Sequence, residues 1–340
     1  MSDASNWSTL CHAVETAWPP DRFRDVGVVV GCSGGADSVA LLRALRQLAG
    51  SNADGFFVAA HFNHGLRGES TEDERFVERL ASELGMRFVV ERDAGDRRDE
   101  DTARRQRRRF YGETARRTGA RYIALGHSLE DNVETVLHRL MRGTGPSGLT
   151  GIAPFSPLGE HPSESDFVIA RPLLGVHRGT IRAALQERDQ AWREDSSNAT
   201  NDYTRNWIRN DLLPTMASQF ADPVAAVARA IQGQRQWADC LEALSTRWLQ
   251  THLIAESPFT LQTIDMEASN DDPTLRGQAV VVEAVKRCWI RFGWPLQSMG
   301  KPQWDSIYQM LCGKGPDILN LPGNVVVRRQ AGRLSFARTR

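Results

Sequence analysis

The chain has 340 residues, 41% of them hydrophobic and 25% charged, with 42 acidic and 42 basic side chains. That length suits two or three domains rather than one, and the composition is that of an ordinary globular protein. No apolar run is long enough to cross a bilayer and residues 1–21 lack a signal-peptide pattern, so a cytoplasmic location with no membrane contact is expected.

From Val26 to about Leu213, short apolar runs alternate with helical stretches, the pattern of a parallel α/β sheet. Val26–Gly31 reads as a buried strand followed by a helix over Val39–Leu48. Gly55–His61 reads as a second strand with an acidic helix over Thr71–Leu84, and Met86–Glu91 as a third with an arginine-rich helix after it. Tyr122–Gly126 is the fourth strand, leading into a helix from about Leu129 to Arg142. A Gly-, Pro- and Ser-rich loop, Gly143–Ser165, is expected to move; a fifth strand is expected at Phe167–Ala170 and helices at His177–Arg188 and Thr204–Leu213. The character changes around Pro214–Pro223. Trp237, Leu241, Leu244 and Trp248 then form one stripe of an amphipathic helix and are expected in a core. Helices follow at Leu275–Phe292 and Gln303–Leu311, and Asp317–Ala337 reads as a β-hairpin turning at Gln330–Gly332. The expected bounds are a catalytic domain over residues 1–215, a helical connector over 216–300 and a small α+β piece over 301–340.

The five cysteines (Cys11, Cys32, Cys240, Cys288 and Cys312) are scattered, none at C-x-x-C spacing, which argues against a disulfide framework, zinc or an iron–sulfur cluster. The balanced net charge hides an imbalance of kind. Lysines occur only at 286, 301 and 314, so nearly all positive charge is guanidinium. It clusters at Arg104, Arg105, Arg107, Arg108 and Arg109, then at Arg116, Arg117 and Arg121. Planar forked donors suit phosphates and carboxylates.

Ser33-Gly34-Gly35-Ala36-Asp37-Ser38 lies between the first strand and its helix. Two glycines allow close backbone approach, and N–H groups at a helix start face anions, so the segment reads as a phosphate cradle. A kinase-type loop would carry a lysine after its last glycine; here Asp37 stands among the phosphate contacts instead. A carboxylate beside phosphates needs a cation between them, which implies Mg²⁺. The plainer alternative is a tight turn with Ser and Asp capping the helix.

His61-Phe62-Asn63-His64-Gly65-Leu66-Arg67 ends the second strand, where open α/β sheets bind ligands. With no third ligand nearby, H-x-x-H is not read as a metal site; the alternatives are a structural histidine, or His64 and Arg67 lining a nucleotide pocket. After the fourth strand comes Gly126-His127-Ser128-Leu129-Glu130-Asp131-Asn132-Val133-Glu134-Thr135. Asp131 and Glu134 share a helix face. They could bind magnesium, act as bases, hold an ammonium ion or serve the helix dipole. Gly143-x-Gly145-x-x-Gly148 follows a helix and contains a proline, so it is not read as a dinucleotide turn.

The loop at 33–38 resembles that of the PP-loop ATP pyrophosphatases, which cleave ATP between its α and β phosphates. The wider pattern resembles the tRNA(Ile)-lysidine synthetases: SGGADS (33–38), HFNHGLR (61–67), TARRQRRRFY (102–111), GHSLEDNVET (126–135), LMRGTGPSGLTGI (140–152), RPLLGV (171–176) and WREDSSNATNDYTRNWIRNDLLP (192–214). The resemblance covers residues 26–214. It implies an α/β, adenine nucleotide alpha hydrolase-like PP-loop domain with a helical connector and a small α+β C-terminal domain. It implies that ATP adenylates the wobble cytidine of a CAU-anticodon tRNA(Ile), after which the ε-amine of L-lysine displaces AMP to give lysidine. Ser33, Gly34, Gly35, Ala36, Asp37 and Ser38, with His64, Arg67 and His127, are then the ATP site, and Asp37 meets Mg²⁺ through the phosphates. Asp131 and Glu134 match the positions that receive lysine. Arg104 and Arg107 match arginines facing the activated intermediate, and Arg205 one near the α-phosphate. A homodimer is implied as well. Two residues depart from the family pattern: Arg108 stands where a tyrosine is usual, and Glu130 where an aspartate is usual. The C-terminal region is weakly matched, with Arg328, Arg329, Arg333 and Arg338 available for RNA phosphates.

The rivals are a PP-loop tRNA thiolase, a small-molecule ligase of the GMP or NAD synthetase kind, and a silent nucleotide- or RNA-binding module. The first generally needs paired or reactive cysteines, the second no arginine helix, and the third would lack Asp37, Asp131 or Glu134.

Overall fold

A computed structural model describes residues 5–63, 70–93, 100–159, 166–194, 204–264, 272–296 and 298–338. The chain packs as two compact units that part between Gln232 and Gly233.

The first unit opens with helix α1 (Asn6–Ala17), which Ser5 caps by accepting from the Ser8 amide. Strands and helices then alternate as β1 (Val28–Gly31), α2 (Ala36–Ala49), β2 (Phe57–Asn63), α3 (Ser70–Glu83), β3 (Arg87–Arg92), α4 (Glu100–Thr118), β4 (Tyr122–Leu125) and α5 (Leu129–Met141). The segment after α5, expected to move, contains a 3₁₀ turn (Pro146–Thr150) and strand β5 (Phe155–Pro157). Its described part is tied to α5. Arg139 Nη1 donates to the carbonyls of Gly148 and Gly151, and the Ile152 amide donates to Asn132 Oδ1 at 2.7 Å. Strand β6 (Val168–Ala170) and helices α6 (Arg178–Glu187), α7 (Thr204–Trp207) and α8 (Leu213–Ala217) follow.

The sheet order is β3-β2-β1-β4-β6-β5, parallel except for β5 at its edge. Successive β1 residues feed opposite cores, as period-two geometry requires. Val28 and Val30 pack with Leu10, Leu41 and Ile181 from α1, α2 and α6. Val29 packs with Phe110, Tyr111 and Ala115 of α4. Both faces are covered, so the strands read as apolar runs. Chain order reverses at β1, with β2 on one side and β4 on the other, and such a switch point is where open α/β sheets hold ligands.

Pro214 explains a detail at the end of this unit. It offers no N–H to the preceding turn and crowds it, and the chain widens into a single π-helical turn over Ile208–Leu212.

Helix α9 (Pro223–His252) leads into the second unit, whose strands β7 (Leu253–Glu256) and β8 (Phe259–Gln262) precede helices α10 (Gln278–Arg291) and α11 (Lys301–Leu311). Three more strands, β9 (Ile318–Leu321), β10 (Val325–Gln330) and β11 (Arg333–Arg338), complete an antiparallel sheet of order β7-β8-β11-β10-β9. The β10–β11 turn has positive φ at Ala331 (49°) and Gly332 (72°), as the twist-matched two-residue hairpin requires. One core joins Trp248, Trp289, Trp304, Val325 and Phe336. The observed division therefore differs from the expected bounds at 215 and 300: it falls within α9, and one core spans the connector and end piece. The Trp stripe also needs correction. Leu241, Leu244 and Trp248 pack against this core, but Trp237 is 74% exposed, because the core begins one turn further along the helix.

Candidate active site

The loop after β1 is closed by its own side chains. Ser38 Oγ accepts from the Ser33 amide at 3.2 Å and donates to the Gly35 carbonyl at 2.9 Å, while Ser33 Oγ accepts from the Gly35 amide at 3.3 Å. Gly34 has φ of +91°, a conformation that favours glycine. Gly35 caps α2, so Ala36, Asp37 and Ser38 form its first turn and their amides head the helix. Arg193, in the segment after α6, donates its backbone N–H to the Gly34 carbonyl at 2.9 Å. Its guanidinium is held by Asp73 at 2.7 Å and Glu72 at 3.1 Å on α3.

The loop after β4 lies directly against this one. A Cβ on Gly126 would sit 2.9 Å from the Asp37 carbonyl carbon and oxygen and 3.1 Å from the Ser38 nitrogen. Backbone meets backbone there, so no side chain can yield. Gly126→Ala is expected to cost about 1–3 kcal/mol, the range for overpacking, and to weaken ATP binding by displacing the phosphate loop; thermal unfolding with nucleotide titration measures both.

His127 follows. Burial, with Arg171, Arg205 and Arg107 nearby, pushes its pKa down to about 4 against the opposing pull of Asp131, so the ring is neutral at pH 7. Its Nδ1 is buried with no hydrogen-bond partner among the described residues.

Helix α5 carries the acidic residues. Asp131 closes a capping box: its carboxylate accepts from the Ser128 amide at 2.9 Å, and Ser128 Oγ accepts from the Asp131 amide. Glu134 is 0% exposed. Among the described residues, three arginines meet this pair. Arg178, the first residue of α6, places Nη2 2.5 Å from Asp131, Nη1 2.8 Å from Glu134 and Nε 3.7 Å from Asp37. Arg209, in the π turn, donates from Nε and Nη2 to the two Glu134 oxygens at 2.8 and 2.9 Å. Arg205, on α7, lies 3.4 Å from Glu134 and donates to Thr135 Oγ1 at 2.9 Å. Burial would raise the Asp131 pKa, but Arg178, His127 and Arg205 together hold it below the usual carboxylate range. Asp37 goes the other way: burial, with Asp131 and Glu130 adding to it, outweighs Arg178 and pushes it up to about 6.

The structure thus brings Ser33–Ser38, His127, Asp131, Glu134 and Arg205 together. Arg104 and Arg107 lie exposed on α4. Their charges bear on this region, Arg107 on His127 and Arg104 on Arg139 and Arg171. His64 and Arg67 lie outside the described residues; His61 is buried with Nδ1 2.9 Å from the Cys32 carbonyl oxygen, as a structural histidine would be. Glu130, the atypical residue, accepts from the Arg178 backbone N–H at 3.0 Å and faces His177 Nδ1 at 3.2 Å, so its longer arm docks α6 onto α5. Arg108 donates to the Leu158 carbonyl.

Arg178, Arg209 and Arg171 are site residues beyond those expected. A cation at the first position of a helix opposes the dipole, and that placement was the available signal for Arg178. For Arg209 it was the four-residue spacing from Arg205. Arg171, just after β6, is 7% exposed; burial, with Arg108 and Arg104 adding to it, pushes its pKa down to about 10.

A parallel sheet with this loop at its switch point is the nucleotide site of a PP-loop domain, and a family model described as the PP-loop domain matches residues 10–216. The chain is 37% identical to the tRNA(Ile)-lysidine synthase of Rhodopirellula baltica, across 90% of this chain and 85% of that one. It is 32% identical to that of Geobacter sulfurreducens (94% and 66%) and 39% identical to that of Solibacter usitatus (65% and 49%), so it spans about half of the last. The chain belongs to the tRNA(Ile)-lysidine synthase family. Among solved structures, a U34-tRNA thiolase from Methanococcus maripaludis with a [4Fe-4S] cluster aligns with a TM-score of 0.57 at 14% identity, over 67% of this chain and 78% of that one. That likeness is of fold.

Proposed function

We propose that this chain uses ATP to adenylate the wobble cytidine of a CAU-anticodon tRNA(Ile) and then joins L-lysine to it, forming lysidine as a carbon–nitrogen ligase. The observation that carries this reading is the adjacency of Asp37 in the phosphate loop to the carboxylate pair Asp131 and Glu134, with Arg178 reaching all three. ATP lies against Ser33–Ser38, with the amides at the start of α2 directed at its phosphates. Arg205, with Arg107 and Arg104 beyond it, supplies positive charge where negative charge grows as pyrophosphate leaves. Asp131 and Glu134 receive the lysine.

The residues fit a magnesium ion. Asp37 is a carboxylate whose ionised form is disfavoured by burial and by Asp131, and a cation shared with the phosphates would relieve this. Among the described residues no cluster of three His, Cys, Asp or Glu could hold a metal alone, so phosphate oxygens would complete the set. When bound, the ion supplies charge to the departing pyrophosphate. A cytoplasmic location accords with the reaction, and no described helix is long and apolar enough to cross a membrane. A homodimer is part of the proposal by resemblance alone.

Incorporation of labelled lysine into a CAU-anticodon tRNA(Ile) transcript, with and without ATP, tests the reading, a methionine tRNA of the same anticodon being the control. ATP-dependent labelling of the isoleucine tRNA alone is expected. Cleavage of ATP to AMP and pyrophosphate without labelling would point to a different nucleophile, as in a thiolase. The second unit carries Arg328, Arg333 and Arg338 on its terminal hairpin. Removing the chain from Gly233 onward is expected to weaken tRNA binding by at least about tenfold, as loss of several phosphate contacts does, with ATP binding little changed; gel-shift and nucleotide titrations measure the two. Unchanged tRNA affinity would remove the second unit from the RNA interface.

A further inference from the structure

Arg178 sits at the first position of α6, where the helix's own partial positive charge opposes a cation. It is held there by carboxylates on three sides: Asp131 at 2.5 Å, Glu134 at 2.8 Å and Asp37 at 3.7 Å. Its backbone is anchored separately, the amide donating to Glu130 at 3.0 Å. The side chain can therefore change partners without moving the helix.

The acidic pair is already saturated. Two carboxylates face the guanidiniums of Arg178, Arg205 and Arg209. An alkylammonium entering there would be a further cation beside two carboxylates that already face three guanidiniums among the described residues. Its attraction to the carboxylates is offset by repulsion at similar distances. Entry becomes favourable when one guanidinium leaves or when an anion arrives. A triphosphate on the Ser33–Ser38 loop is such an anion, and it reaches Arg178 from the side on which that residue already touches Asp37.

We infer that Arg178 is a positioning residue that closes the ammonium subsite in the nucleotide-free protein and is drawn off Asp131 and Glu134 by the bound triphosphate. ATP binding then precedes lysine binding, and the amine is admitted only where an activated base can form. The inference rests on the reading of Asp131 and Glu134 as the lysine subsite. Arg209 stays paired to Glu134 through two hydrogen bonds, so Arg178 is the residue whose loss should matter to lysine.

Equilibrium binding of labelled L-lysine to the full chain tests this, with and without Mg²⁺ and a non-hydrolysable ATP analogue. Wild type is expected to bind lysine about tenfold or more tightly with the analogue, a coupling of ordinary size. Arg178→Gln is expected to bind lysine without nucleotide as tightly as wild type does with it. Arg178→Lys keeps a cation in place and should retain most of the nucleotide dependence. Binding of the analogue to each variant reports whether it is folded. Arg178→Gln that binds analogue but has no gain in lysine affinity would overturn the inference. So would wild type that binds lysine equally with and without the analogue, a comparison that needs no variant. If that equal binding is lost in Glu134→Gln, the subsite survives and only the closure by Arg178 fails. If lysine binds wild type under neither condition, the subsite reading falls and the inference with it.

Discussion

Asp37→Ala is expected to lower ATP-dependent pyrophosphate release by roughly a hundredfold or more, the scale on which one preorganised charge at a reacting centre acts. Asp37 is in the first turn of α2, its carboxylate turned toward Arg178 and the acidic end of α5. Without it, the phosphates keep the backbone amides but lose the carboxylate proposed to share the metal. Unchanged pyrophosphate release would sink the metal role. The charge state of Asp37 adds a pH dependence. Its pKa is raised to about 6 in the folded, ligand-free protein, so the proton is held more tightly there than in the unfolded chain. This contribution to stability is fully present below the unfolded value, near 4. It is lost as pH rises through about 6. Asp37→Asn should therefore be more stable than wild type at pH 8 while failing to release pyrophosphate. Metal-dependent ATP binding by wild type should in turn weaken as pH falls below about 6. Thermal unfolding at two pH values and nucleotide titrations across the window measure both.

Glu134→Gln is expected to destabilise the protein by about 3 kcal/mol, toward the lower end of the range for breaking a buried ion pair. Glu134 is wholly buried and meets three guanidiniums. A neutral amide of the same shape removes one negative charge from that group, leaving Arg178 beside Asp131 and Asp37 and Arg209 beside Asp131. The same change should raise the lysine concentration needed for activity much more than it lowers ATP affinity. Denaturant unfolding and lysine-dependent kinetics separate the two effects. An equal loss of ATP affinity would place Glu134 in the nucleotide site. The position is thus structural as well as the proposed seat of the lysine, and acidic spacing on a helix does not reveal the first of these.

Much of the fold was legible because its signals are local. Val28–Gly31 and Phe57–Ala60 are continuous apolar runs, and the Ser-Gly-Gly loop punctuates the first strand and helix. The elements that escaped the reading have weak or divided signals. Strand β5 is three residues long, contains Pro157 and lies at the sheet edge, where proline is tolerated. Strands β7 and β8 are four residues each and follow α9 without a break in character. Helix α1 did carry a legible stripe in Trp7, Leu10, Cys11 and Val14, at helical spacing. In the site, Ser33–Ser38, Asp131, Glu134 and Arg205 were found through motif order. Arg178 escaped because its role depends on bringing α6 beside α5, and Glu130 does that through a contact between residues 130 and 178. No pattern within one helix encodes such a meeting.

The hydrogen bond from Arg193 to Gly34 bears on how the domain comes into being. The glycine turn is made early in synthesis, yet one of its carbonyls accepts from a residue that emerges much later, after β6 and α6. The same residue ties the turn to α3 through Asp73 and Glu72. A nascent chain that has delivered the first four strands has the sheet's centre but not the latch on its phosphate loop. Competence to hold ATP should appear abruptly once the ribosome has released residues near 193, so a stalled or truncated product would not sequester the nucleotide.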